Sequence, residues 1–146
     1  MSKTNTFETD ILALIFTNVA CPSLGDSAGL QPAAVDGSLW IGLWAADPTD
    51  AGLMTGEASY GGYARVDVAR TAAAWDVSNG VAANLNAITF PAATGGATTA
   101  THFGIMADAS LVNSYMFYAG ALTGSLAITS GITPQFAAGT LTITED

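Results

Sequence analysis

The feature that most constrains this chain is its punctuation. Asp47-Pro48, Gly61-Gly62, Asn79-Gly80, Gly95-Gly96 and Ser130-Gly131 recur along it, and these residue types favour turns. Between them lie short runs with strand character at 39–44, 63–70, 74–77, 87–90, 101–106, 115–119, 126–129 and 141–144. Leu39-Trp-Ile-Gly-Leu-Trp44 is apolar on both faces and suits a central strand. From Tyr63 to Arg70 the chain alternates, with Ala64, Val66 and Val68 on one side and Tyr63, Arg65 and Asp67 on the other, as in a half-exposed antiparallel strand. Short strands at this spacing predict a mainly β fold, an antiparallel β-sandwich of jelly-roll-like or Ig-like type. With 146 residues the chain fits a single domain, in which residues 38–146 form the sandwich and residues 1–37 a helix followed by an arm.

The helix is expected near the N-terminus. Asn5 or Thr6 can cap it, and Glu8 and Asp10 follow where the helix dipole favours negative charge. Phe7, Ile11, Leu14 and Ile15 fall at i, i+4, i+7 and i+8 on one apolar face, which Leu12 and Phe16 widen. That face suits burial against its own sheet or against another subunit. Residues 21–37 then lose all periodicity among Pro22, Gly25, Gly29, Pro32 and Gly37. This segment exceeds the roughly 12–15 residues beyond which a structureless connection usually has a function of its own, so Pro22, Leu24, Leu30 and Pro32 are candidate contact residues.

Charge is sparse and lopsided. Charged residues make up 10% of the chain, against about 25% in an ordinary soluble domain. Twelve acids face only Lys3, Arg65 and Arg70, for a net charge of −9. At the roughly 7,000 Å² surface of a folded monomer of this mass, that is one charge per about 450 Å². Neighbouring copies or partner proteins are therefore expected to cover part of the surface. Nucleic acid is excluded as a partner, because three cations cannot form a phosphate-binding stripe. An anionic membrane surface is excluded for the same reason. The longest apolar run near the start, 11–16, is far short of the roughly 20 residues of a membrane span, and no signal peptide is expected. Cys21 is the single cysteine, so no intrachain disulfide forms.

No candidate site gathers a reactive set. His102, the one histidine, has no Gly-x-Ser-x-Gly elbow to serve, and is read as a structural side chain sharing a strand face with Gly104 and Met106. Zinc would need four ligands, usually Cys and His, and one of each is present. Asp47, Asp50 and Glu57 are the residues a calcium ion would use, but Asp47-Pro-Thr-Asp50 reads more simply as a turn in which Asp47 accepts from backbone amides. Gly61-Gly62 precedes a strand, where a phosphate loop would open a helix. Trp40, Trp44 and Trp75 could make a sugar-stacking platform, although core or interface filling is the commoner use of such rings. Arg65 and Arg70 are expected to neutralise acids such as Asp67 and Asp76, across a subunit boundary. No catalytic residue, cofactor or metal is assigned.

A succession of motifs adds a second line of reasoning. Leu43-Trp-Ala-Ala-Asp-Pro-Thr-Asp-Ala-Gly52, Gly61-Gly-Tyr-Ala-Arg-Val66, Ile88-Thr-Phe-Pro-Ala-Ala-Thr94, Thr101-His-Phe-Gly-Ile105, Phe117-Tyr-Ala-Gly-Ala-Leu122 and Phe136-Ala-Ala-Gly-Thr-Leu-Thr-Ile143 resemble a family of small tailed-bacteriophage virion proteins, often labelled tail fibre proteins. The chain departs from that pattern in its longer 21–37 segment. The resemblance implies a structural particle component rather than an enzyme. The expectation favoured here is a capsid decoration or cement protein, a homo-oligomer and preferably a trimer, that binds the major capsid protein or other virion proteins on the head lattice. A tail fibre, baseplate or collar component is the alternative, and a glycan- or receptor-binding module a further one. Phe7, Ile11, Leu14, Ile15, Pro22, Leu24, Leu30, Pro32, Arg65 and Arg70 are the expected interface residues.

Overall fold

The computed structural model describes residues 2–22, 24–110 and 115–145. One helix, α1 (Asn5–Thr17), precedes nine strands among those residues: β1 (Ser38–Trp44), β2 (Val66–Ala69), β3 (Trp75–Ser78), β4 (Val81–Asn84), β5 (Ile88–Thr89), β6 (Ala97–Met106), β7 (Met116–Thr129), β8 (Gln135–Phe136) and β9 (Thr142–Thr144). The sheets are antiparallel and a single short helix accompanies them among the described residues, which makes the fold mainly β and consistent with the expected sandwich class. The sheet orders are β2-β1-β6-β7, β3-β4-β9 and β5-β8. The chain forms two compact units, one of Met1–Gly37, Ala69–Ala87 and Phe136–Asp146, the other of Ser38–Val68 and Ile88–Gln135.

In the first unit α1 packs on β3 and β4. Its N-cap is Thr4 rather than Asn5 or Thr6, without a side-chain capping bond, and its C-cap Asn18 is left-handed at φ 54°. The Val19 N–H donates to the Ala13 carbonyl at 3.2 Å, closing the last turn as a left-handed cap does. The row facing the sheet is Glu8, Leu12 and Phe16, all buried, at the i, i+4, i+8 spacing of one helix face. Phe16 meets Trp75 edge-on with ring centroids 4.7 Å apart. Phe7, Ile11, Leu14 and Ile15 are thus not the buried row; they remain half-buried beside it.

Asn79-Gly80 makes the turn between β3 and β4, with positive φ at both residues. Asn84, 1% exposed, satisfies its amide completely. Its Nδ2 donates to the Asn86 and Ala137 carbonyls at 2.7 and 2.9 Å, and its Oδ1 accepts from the Leu141 N–H at 2.9 Å. One side chain thereby ties β4 to the approach into β9.

The second unit is built around β1, which is internal in its sheet as its apolar pattern requires, with Leu39, Ile41, Leu43 and Trp44 buried. β1 pairs with β6 from Trp40↔Met106 to Trp44↔His102. The 63–70 strand is shorter than its alternation predicts, because regular pairing starts only at Val66. The 115–119 and 126–129 runs are one strand, β7, continuous through an irregular stretch.

Candidate functional site

Two glycines decide where Trp44 goes. A Cβ at Gly42 or at Gly104 would lie 2.7 Å from Cζ3 of its ring, so the indole lies flat against backbone that no other residue could offer. Its Nε1 donates to the Leu53 carbonyl at 3.1 Å. That bond holds down the 45–56 loop, which is also closed by Ala45 N–H to Gly56 O and Ala58 N–H to Leu43 O, both 2.8 Å.

Beneath this loop Arg65 is 5% exposed and fully engaged. Its Nε and Nη2 donate to the two oxygens of Glu57 at 2.7 and 2.8 Å, and Nη1 donates to the Asp108 carbonyl at 3.1 Å and to that of Ser110. The guanidinium also lies 5.9 Å from the Trp44 ring centre, within cation–π range. Tyr63 completes the set: its hydroxyl donates to Glu57 Oε1 at 2.8 Å and accepts from the Leu43 N–H at 3.1 Å. Burial, reinforced by the Glu57 carboxylate, pushes the Tyr63 phenol well above its ordinary value, and burial also raises Tyr60. Tyr63 therefore stays neutral and acts as a hydrogen-bonded strut. The partner of Arg65 is Glu57, not Asp67 or Asp76: residues 63–65 are outside the strand, so the predicted alternation breaks and turns Arg65 inward.

Arg70 also spends its donors inside its own unit. Nε donates to Ile15 O and Nη2 to Leu14 O, both at 2.6 Å, and Nη1 to Asp36 O at 3.1 Å. A cation thus terminates α1 where the helix dipole is negative. Asn18 assists, with Oδ1 accepting from Ala33 N–H at 2.8 Å and Nδ2 donating to Ala33 O at 3.0 Å. Cys21 and Leu30 exchange backbone bonds at 3.0 and 2.9 Å, so the 21–37 segment is a closed loop pinned to the end of the helix. Its apolar groups point outward: Pro22, Leu24, Leu30 and Pro32 are exposed, and Val35 is 79% exposed.

The second unit carries an open cleft of about 550 Å³ lined by Asp47, Thr49, Asp50, His102 and the 116–121 part of β7. Asp47 accepts from Thr49 N–H at 2.8 Å, the turn its sequence predicts. His102 lies 2.9 Å from the Thr101 hydroxyl through Nδ1 and 4.0 Å from Asp47 through Nε2. The second distance exceeds hydrogen-bond length, so Asp47 does not orient the ring as an acid orients a catalytic base. Among the described residues no three potential ligands converge to hold a metal ion, and Glu57 is committed to Arg65. Trp44 and Trp75 are 0% and 1% exposed, so they fill the core, the commoner use of such rings, and the alternative sugar-stacking platform is not assembled. The aromatic rings available to a partner are Tyr115, 69% exposed, and Phe117, 40% exposed, packed edge-on 5.2 Å apart.

Sequence reasoning missed two things here: Glu57 as the arginine's partner, and the sheet edge formed by β7. The first could have been sought as the acid nearest the turn before Arg65. The second needed the strand order.

Closed loops, buried struts and exposed apolar groups accompany the antiparallel sheets of this chain. The chain belongs to a bacteriophage fibre family: residues 2–144 match the family described as podophage GP4 fiber I protein gp80. No curated protein matches the chain. The family is one of virion structural proteins, which supports the resemblance noted in the motifs and favours the fibre expectation over capsid decoration.

Proposed function

We propose that this chain is a subunit of a phage tail fibre, working by protein–protein contact and not by catalysis. The observation that carries the reading is the match to a fibre family along residues 2–144. The composition supports it: with 10% charged residues, the surface is suited to neighbours rather than to solitary life in water. The subunits associate with one another and with other virion proteins. Phe7, Ile11, Leu14 and Ile15, together with Leu24, Leu30 and Val35, supply apolar surface for these contacts. The test is positional. Gold-labelled antibody against this protein on purified virions should mark the tail; label spread over the head would restore the decoration reading and overturn this one.

A further inference from the structure

Asn79-Gly80 is the single Asn-Gly pair in the chain, and it turns β3 into β4 with φ of 51° and 73°. That dipeptide carries chemistry of its own. Once a base removes the Gly80 amide proton, the nitrogen can attack Cγ of Asn79; the new C–N bond closes a five-membered succinimide and the side-chain amide departs as ammonia. Water then opens the ring at one of its two carbonyls, leaving aspartate or isoaspartate. Glycine permits the attack because no Cβ crowds its nitrogen.

The two reacting residues sit in opposite surroundings. Asn79 is exposed, whereas Gly80 is buried. The Gly80 N–H donates to Oγ1 of Thr9 in α1 at 2.9 Å. That hydroxyl donates its own proton to the Asn5 carbonyl at 2.8 Å, which leaves its lone pairs for Gly80. The Gly80 carbonyl accepts from the Glu145 N–H at 3.1 Å. A Cβ at Gly80 would lie 2.9 Å from Glu8 Oε2, so the helix rests directly on this residue.

We propose that Asn79 is a latent deamidation site, held unreacted while α1 is docked, because the Thr9 hydroxyl occupies the N–H whose proton must first be lost. Reaction then requires the helix to lift from the turn, a local opening of the kind that amide exchange reports. Exchange and deamidation share a first step, removal of the same proton. The product keeps the site open: it adds a carboxylate, and as isoaspartate an extra main-chain carbon, next to the glycine that meets Glu8. The inference is independent of the fibre reading.

The test follows the full chain at mildly alkaline pH, by peptide mapping for the mass change of an amide turned acid and by enzymatic methylation of isoaspartate. Asn79 should react readily in urea and stay largely intact in the folded wild type. Thr9→Val keeps the side-chain shape and loses the acceptor; it should speed the folded-state reaction about two- to tenfold, the change in open population that one hydrogen bond commands. Ala82 and Ala83 amides in β4 should keep their protection in that variant. Thr9→Ser should restore the wild-type rate. If Thr9→Val fails to fold, exchange at the wild-type Gly80 amide decides, and that amide should be protected. Folded wild type that deamidates at Asn79 as fast as the chain in urea, an unprotected Gly80 amide, a folded Thr9→Val no faster than wild type or faster only in step with lost protection at Ala82 and Ala83, or a Thr9→Ser as fast as Thr9→Val would each overturn the proposal.

Discussion

The two units use the same two residue types in opposite ways. In the unit of Ser38–Val68 and Ile88–Gln135, Arg65 is buried against a carboxylate and Trp44 donates its N–H to a carbonyl. In the other, Arg70 is half-buried on the carbonyls of a helix end, and the Trp75 Nε1 is buried with no hydrogen-bond partner among the described residues. A buried ion pair is an all-or-none device, because removing one partner leaves the other desolvated and uncompensated. A cation at a helix end is a graded one, shared among several dipoles and screened by water. The contrast teaches where each unit keeps its stability.

The largest expected effect follows from that difference. Arg65→Met should lower unfolding free energy by about 3–5 kcal/mol, since Glu57 is left buried and unpaired. Combining it with Glu57→Met should recover much of the loss, as removal of a whole buried pair is far milder than removal of half. Urea titrations of the two variants measure both. A single variant no weaker than the double would break the comparison.

Arg70→Ala should cost less, about 1–2 kcal/mol, the scale of charged hydrogen bonds and helix-end cations at a partly exposed site. Its damage should also be local. Amide exchange should quicken at Leu30 and Ala33, whose bonds close the 21–37 loop, while β6 amides keep their protection. Uniform acceleration through β6 would show that the helix-end cation acts globally, as the buried pair does.

Why some of this was legible in the sequence and some was not is itself physical. β1 could be read because Leu39 to Trp44 is apolar on both faces, a signal that needs no partner. The β3–β4 turn could be read because Asn79-Gly80 tolerates the left-handed backbone. β4, Val81–Asn84, was missed, because two alanines and an asparagine carry little strand preference and the pairing with β9 is what holds them. The pattern gives 115–119 and 126–129 as separate runs because Gly124 and Ser125 carry little strand preference; in the structure the stretch between them is a bulge that the continuous neighbour β6 carries across. The helix row that meets the β3–β4 hairpin is Leu12 and Phe16, which the pattern gives only as the widening of the apolar face, since no periodicity encodes where the hairpin lies. At the site, Asp47 was legible because its turn is local, whereas the pairing of Glu57 with Arg65 depends on how a loop folds back.

The smallest expected effect is at Trp75, measured against Trp44. Trp44→Phe removes the bond to Leu53 and leaves that carbonyl without its indole donor, so a loss of about 1–3 kcal/mol is expected. Trp75→Phe removes a donor that has no acceptor among the described residues, and eliminating its desolvation cost of about 1–3 kcal/mol offsets most of the packing lost with the smaller ring. The variant should therefore lie within about 1 kcal/mol of wild type, the scale of a single hydrogen bond. Denaturant midpoints of the two phenylalanine variants, measured side by side, give the answer. If Trp75→Phe were the more damaging, ring packing against Phe16 would outweigh the unpaired N–H, and the first unit would depend on shape where the second depends on polar pairing.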